Sequence, residues 1–156
     1  MARRTHRYQT RLRWVGAGIA PFGKHDRSYE VVCDGKPTLP GSSDPTFRGD
    51  RARWNPEDLL VASLSACHHL WYMGLCAAAG IEVKAYEDAA EGEMVEERID
   101  GAGQFARVTL RPRVTLAGGA DVAKANELHR TAHERCFIAR SVNFPVHIEP
   151  TFDVGR

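Results

Sequence analysis

The sequence lacks a surplus of either charge, a dense pattern of cysteines and a secretory leader. Its 21 Lys and Arg residues are balanced by 20 Asp and Glu, for a formal net charge of +1. Because nucleic-acid-binding domains carry a clear basic surplus, nucleic acid is not expected as the main partner. Four cysteines in 156 residues are too sparse for a disulfide scaffold. With no charged-then-apolar leader, we expect a cytoplasmic protein whose cysteine chemistry is catalytic or transient.

Length and composition predict one packed domain spanning residues 1–156. Hydrophobic residues make up 43% of the chain, enough for an ordinary core. Alternating segments predict strands and two segments of helical period predict helices, which together indicate the α+β class. The predicted strands cover 7–14, 27–33, 36–39, 82–90, 104–116 and 144–152, and the predicted helices cover 56–79 and 121–136. Pro112 predicts an edge strand or a bulge.

The first predicted helix has clear start and stop signals. Asn55 suits the N-cap, Pro56 suits the first helical position, and Gly80 suits the left-handed stop. The helix is apolar nearly all round, but His68 and His69 at its centre argue against a membrane span. A helix that is apolar on all sides in a small soluble protein is expected to be buried on all sides. One short chain cannot easily cover it, so we expect a dimer.

Two of the four cysteines are candidates for chemistry. Cys33 lies in a predicted strand, and Cys76 falls on the helix face opposite Cys67, so both are interpreted as packing residues. Cys67 lies mid-helix, where the helix dipole no longer favours a thiolate. If Cys67 is a nucleophile, either a cation from another element or His68 and His69 must favour its ionised form. An arginine from another element suits this role better, because its charge is permanent. Cys136 ends the second predicted helix.

Glu57 is a candidate positioning residue near the start of the first helix. It precedes Cys67 by ten residues, which is about 15 Å along a helix, so direct contact is not expected. A carboxylate beside a thiolate would also disfavour it. Glu57 therefore fits better as the bidentate holder of an arginine, while the plainer alternative makes it a first-turn partner of the helix dipole.

Four sequence motifs together resemble the OsmC/Ohr family of osmotically inducible and organic hydroperoxide resistance proteins. The resemblance extends from the first predicted strand to the last. Its motifs are Asn-Pro-Glu-Asp-Leu-Leu at 55–60, Ser-Ala-Cys at 65–67, His-Glu-Arg-Cys-Phe-Ile at 133–138 and Asn-Phe-Pro-Val at 143–146.

The resemblance implies a thiol peroxidase and assigns roles to individual residues. Cys67 matches the cysteine that attacks the peroxide and becomes a sulfenic acid, and Cys136 matches the cysteine that resolves it as a disulfide. Glu57 matches the glutamate that orients a catalytic arginine. Arg27 is our match for that arginine, with two alternatives in the long loop at 40–53: Arg48 and Arg51.

The resemblance also implies architecture and partners. It implies antiparallel sheets around a long buried central helix, in an intertwined homodimer. The expected substrate is a small hydroperoxide, and the expected reductant is a dithiol, of lipoyl type in some members. We expect an antioxidant role in stress response and no cofactor, metal ion, nucleic acid or membrane partner.

Two other classes of function remain open from the sequence. A zinc site is one, because several zinc-capable side chains are present: Cys67, His68, His69, His133 and Cys136. A non-enzymatic stress or ligand-binding protein on the same fold is the other, since fold alone does not fix function.

Overall fold

The computed structural model describes residues 4–14, 16, 25–96 and 101–155 and confirms the α+β class. Contacts divide the chain into two compact units, Met1–Leu59 and Leu60–Arg156. The helices and strands in chain order are β1 (Arg11–Arg13), β2 (Tyr29–Val32), β3 (Leu39–Gly41), α1 (Pro56–Ala78), β4 (Val83–Asp88), β5 (Glu91–Glu96), β6 (Gly103–Leu110), β7 (Pro112–Leu116), α2 (Val122–Arg135), β8 (Val146–Ile148) and β9 (Thr151–Val154).

The first unit contains a three-stranded antiparallel sheet in the order β1-β2-β3. Leu12 faces Val31 across the first pair, and Tyr29 faces Gly41 across the second. The Tyr29 ring lies so close to Gly41 that an added Cβ would approach it to 2.2 Å. The predicted strand at 7–14 shortens to the three residues of β1, all of which are exposed.

A structured loop joins β3 to α1 in the same unit. Asp44 caps a short 3₁₀ helix (Pro45–Phe47) by accepting a hydrogen bond from the Thr46 N–H at 2.7 Å. Arg48 follows in the left-handed conformation with φ 66°. Gly49 is required here, since an added Cβ would lie 1.5 Å from the Ser43 carbonyl oxygen. These contacts give the long predicted loop a defined shape.

Helix α1 begins and ends at the predicted signals. The Asn55 side-chain oxygen accepts a hydrogen bond from the Asp58 N–H at 2.7 Å, and Gly80 ends the helix region with φ 71°. Within the chain, one stripe of α1 is buried at every fourth position: Leu64, His68, Tyr72 and Cys76. The opposite stripe is exposed: Ala62, Ala66, Leu70 and Gly74. The expected burial on all sides is therefore not achieved by one chain.

By length and composition α1 could cross a membrane, a test that core helices of soluble proteins also pass. Its polar side chains make contacts inside the second unit. Ser65 donates a hydrogen bond to Asp88 at 2.5 Å, and His68 pairs with His129 at 2.9 Å. These contacts indicate a helix packed against protein.

The second unit contains two three-stranded sheets with the orders β4-β7-β9 and β5-β6-β8. The predicted strand at 104–116 is in fact β6 and β7, which separate at Arg111 and enter different sheets. The predicted strand at 144–152 likewise divides into β8 and β9. Both of these last strands pair in parallel, β8 with β6 and β9 with β7, so the expected antiparallel pairing does not extend to these two pairs.

A strand leads directly into a strand of the other sheet at three places, after β4, after β6 and after β8. Arg111 lies at the middle crossing, where its N–H donates to the Asp88 carboxylate at 2.7 Å. Its guanidinium pairs with Glu91 at 2.8 Å and with Glu149 at 3.2 Å. All three crossings therefore meet at one arginine.

Helix α2 packs on α1 within the second unit. Asp121 caps it by accepting a hydrogen bond from the Lys124 N–H at 2.9 Å. Its buried side chains lie along one stripe of the helix: Ala125, Leu128, His129 and Ala132. Most of this stripe joins Tyr72 and Cys76 of α1 in one buried cluster.

Candidate active site

Two cysteines of the second unit lie beside each other where α2 ends. Cys67 is half-buried in the middle of α1, and Cys136 is buried at the C-terminal cap of α2. Both are free thiols. Burial raises the pKa of the Cys136 thiol to about 11, and Cys67 adds to this through a side-chain hydrogen bond and like-charge repulsion. The fold thus brings the two candidate sulfurs together.

Backbone hydrogen bonds hold Cys136 in place. Its N–H donates to the His133 carbonyl at 3.2 Å, and its carbonyl accepts from the Arg140 N–H at 3.1 Å. The Ala139 N–H donates to the Cys136 sulfur at 3.4 Å, which lowers the pKa of that thiol and partly opposes the effect of burial. The Cys136 sulfur is therefore presented from a tight turn rather than from a loose loop.

The different exposure of the two sulfurs gives them different chemistry. Cys136 stays protonated at neutral pH because of its raised pKa, and a thiol is a much weaker nucleophile than a thiolate. Cys67 is the less buried of the two residues. The arrangement can support attack by Cys67 followed by disulfide formation with Cys136.

An aromatic pair flanks the two cysteines. Trp71 lies one helical turn after Cys67, and Phe137 directly follows Cys136. Their rings meet edge to face at 5.6 Å. Phe137 is 68% exposed, so this apolar pair borders solvent beside the sulfurs.

Glu57 and Arg27 line the same cavity of about 760 Å³ in the first unit, together with Arg48. One oxygen of Glu57, Oε2, is buried and has no hydrogen-bond partner among the described residues. Arg27 donates to the His25 carbonyl at 3.2 Å. Arg51 does not line this cavity. Of the three candidate arginines, Arg27 and Arg48 therefore share a cavity with Glu57.

The sequence does not predict a buried histidine pair that the structure contains. His68 directly follows Cys67 on α1, and His129 lies on the inward stripe of α2. Burial lowers the pKa of His68 to about 4, with repulsion from His133 and His69 adding to the shift, and burial also lowers the pKa of His129 to about 3. Two histidines at inward positions were the available signal, but their pairing depends on how the helices pack.

The zinc alternative receives no support from side-chain placement. Within 4–14, 16, 25–96 and 101–155, no group of three or more His, Cys, Asp or Glu side chains is arranged to hold a metal ion.

Comparison with known proteins connects this geometry to a family. The family model for OsmC-like proteins matches residues 49–151. The chain belongs to the OsmC family. An OsmC-like protein of unknown function from Vibrio cholerae is 27% identical, with a TM-score of 0.85 over 94% of this chain and all of that one. The OsmC-like fold expected from the sequence is thereby confirmed.

Other similarities are more distant. The uncharacterized protein YmaD of Bacillus subtilis is 24% identical over 106 residues, which are 65% of this chain and 69% of YmaD. An organic hydroperoxide resistance protein from Legionella pneumophila is 19% identical, with a TM-score of 0.66 over 96% of this chain and 99% of that one. At that identity, the similarity shows a shared OsmC fold.

Proposed function

We propose that this OsmC-family protein is a cysteine-based peroxidase that reduces organic hydroperoxides. The observation that carries the proposal is the adjacency of a half-buried Cys67 and a buried Cys136 as free thiols. Membership of the OsmC family and similarity to a protein named for hydroperoxide resistance support a redox role in stress response.

The proposed reaction has three steps that balance. The Cys67 thiolate attacks the terminal oxygen of the hydroperoxide, the O–O bond breaks, and the alkoxide leaves as the alcohol after taking a proton. The resulting Cys67 sulfenic acid condenses with the Cys136 thiol, forming a disulfide and releasing water. An external dithiol, of lipoyl type or similar, then reduces the disulfide and is itself oxidised.

We further propose that an arginine favours the Cys67 thiolate and stabilises the departing alkoxide. Arg27 and Arg48 are the two candidates supported by a shared cavity with Glu57, whose carboxylate would orient the guanidinium. Arg27 is preferred because it is our best match to the arginine of the family. Arg51 receives no such support.

We propose a homodimer of the cytoplasm as the working form. The exposed stripe of α1 supports the dimer, because it is apolar and small along its length: Ala62, Ala66, Leu70 and Gly74. Leu70 is 71% exposed, which is unusual for leucine in the middle of a long helix. We assign a second copy of the chain as the cover for this stripe. A single monomer boundary in sedimentation at micromolar concentration would contradict it.

Cysteine variants test the peroxidase directly. Cys67→Ser is expected to abolish consumption of tert-butyl hydroperoxide with a dithiol reductant, and Cys136→Ser is expected to leave a sulfenic acid at Cys67 that dimedone traps. Cys33→Ser is the matched control and should retain activity, since Cys33 belongs to the first unit and is not a member of the thiol pair. Hydroperoxide consumption by Cys67→Ser at the wild-type rate would refute the proposal.

A non-enzymatic binding protein is the second candidate, and the cavity of the first unit favours it. Apolar side chains line much of that cavity: Leu12, Trp14, Tyr29 and Phe47. Thiol titration separates the two functions. A peroxidase loses two thiols on exposure to hydroperoxide, whereas a binding protein with packing cysteines loses none.

A further inference from the structure

A hydrogen-bonded histidine pair lies buried between the two helices of the second unit. His68 Nε2 and His129 Nδ1 are 2.9 Å apart, and the two rings are inclined by only 5°. The side chains are almost fully buried, with His68 1% and His129 3% exposed. Among the described residues, the remaining nitrogens, His68 Nδ1 and His129 Nε2, have no partner. Among the described residues, each of the two side chains therefore makes its polar contact through the hydrogen bond between the rings.

Aromatic packing restrains this pair. Tyr72 lies one turn after His68 and stacks on the His129 ring at 3.8 Å with an angle of 9°. Phe152 of β9 contacts the His129 ring at 5.9 Å. Because buried side chains pack closely, a shift of either ring would displace its neighbours. The pair therefore fixes the position of α2 on α1.

The histidine pair is linked through the chain to both cysteines. His68 directly follows Cys67 on α1. Cys136 follows His129 by seven residues, which is about two helical turns, so it lies on the same side of α2 about 10 Å along the axis. The ring pair and the thiol pair are therefore successive contacts between the same two elements.

We propose that His68 and His129 are positioning residues that hold Cys136 within reach of Cys67. The role of this proximity of the two cysteines in peroxide reduction rests on the proposed function, but the proximity itself does not. A disulfide requires Cβ atoms about 3.5–4.5 Å apart, so a small displacement of α2 opposes its formation. Loss of the histidine bond would also leave a further buried nitrogen without a partner, which favours such a displacement.

Reciprocal amide substitutions give the test. The amide of Asn reaches the place of His Nδ1, and the amide of Gln reaches the place of His Nε2. His129→Asn and His68→Gln therefore retain the bond, whereas His129→Gln and His68→Asn move the amide away from it. If helices simply preferred Asn or Gln, the same amide would be favoured at both positions. The positioning role instead requires Asn to be favoured at position 129 and Gln to be favoured at position 68. His147→Gln, on an exposed residue of β8, is the control.

The measurement is the equilibrium between the Cys67–Cys136 disulfide and glutathione, with the disulfide identified by peptide mapping and folding checked by circular dichroism. The two displacing variants should lower the equilibrium constant about tenfold, the size of one lost buried hydrogen bond. The two retaining variants and the control should stay within about threefold of wild type. The same order in the rate of disulfide formation with diamide would support the proposal.

The outcomes separate this inference from the proposed function, because neither glutathione nor diamide requires peroxide turnover. A wild-type protein that forms this disulfide without consuming hydroperoxide refutes the peroxidase and leaves the positioning test intact. Equal constants for Asn and Gln at either histidine, in folded proteins, overturn the inference. If the displacing variants unfold, the retaining variants decide, since a tenfold fall in either also overturns it.

Discussion

Acidification should lower the free energy of unfolding of this protein through its buried histidine pair. His68 and His129 are neutral in the folded state because burial lowers their pKa values to about 4 and about 3, whereas histidine in an unfolded chain has a pKa near 6.5. The unfolded chain therefore binds more protons than the folded one below about pH 6.5. Stability from this pair is fully present above that pH and is lost as the pH falls towards the folded values.

The size of the loss follows from linkage. At about pH 5, each ring removes about 2 kcal/mol from the free energy of unfolding relative to neutral pH. Both folded pKa values lie below that pH, so the figure depends almost entirely on the unfolded value. The pair together removes about 4 kcal/mol, a large part of the stability of an ordinary domain.

Other groups near the pair reinforce this direction. His133 and His69 repel the protonated form of His68. Tyr72 packs on both rings and Tyr86 packs on Tyr72 and His69, and burial raises the pKa of each tyrosine, so both stay neutral in acid. Phe152, from β9, carries no charge. Among the residues that the structure describes, no carboxylate opposes the lowering of either histidine pKa.

Urea unfolding at neutral pH and at about pH 5, at one fixed protein concentration, measures the loss. The double variant His68→Gln/His129→Asn keeps a hydrogen bond between two side-chain amides of the helices, but neither amide can be protonated in this pH range. Wild type should lose about 4 kcal/mol more than the double variant on acidification, with unchanged dependence on urea. His147→Gln should behave as wild type. Equal losses in wild type and double variant would refute the reasoning.

Three further predictions concern the helix start, the dimer and the arginine. Asn55→Ala should lower the free energy of unfolding by about 1 kcal/mol, since the Asp58 N–H loses its cap, whereas Asn55→Asp should lose less; an equal loss in both would show that the cap is not responsible. Leu70→Glu should place a charge on the exposed stripe of α1 and shift the sedimentation profile to monomer, and an unchanged dimer would assign the interface elsewhere. If Glu57 orients the Arg27 guanidinium, Arg27→Lys should lower the rate of hydroperoxide reduction at least tenfold, while Arg48→Lys should not. The reverse order of the two rates would assign the role to Arg48.

Local signals predicted the helices well. The cap at Asn55 and the left-handed Gly80 depend on a few adjacent residues, and the sequence predicts both. The motifs around Cys67 and Cys136 likewise predict a thiol pair, through their resemblance to the OsmC/Ohr family.

The strands and the histidine pair were harder to predict. Alternation continues through 104–116, with Val108 and Val114 both buried, so the sequence pattern hides the change of sheet at Arg111. The sheet that each strand joins depends on pairing strands that are distant in the sequence. The contact between His68 and His129 also depends on tertiary packing, since each residue alone reads as one more inward helical position.

The three crossings around Arg111 restrict which changes in chain length this fold tolerates. A single residue, Arg111, connects β6 to β7, and only two residues connect β8 to β9. These strands run side by side as parallel pairs on both sides of the bend. Inserting one residue into either connection would shift the register of one strand pair by one residue. Side chains of the shifted strand that are now buried would then face outward. Insertions in evolved or engineered relatives should therefore accumulate elsewhere, or arise in both connections at once.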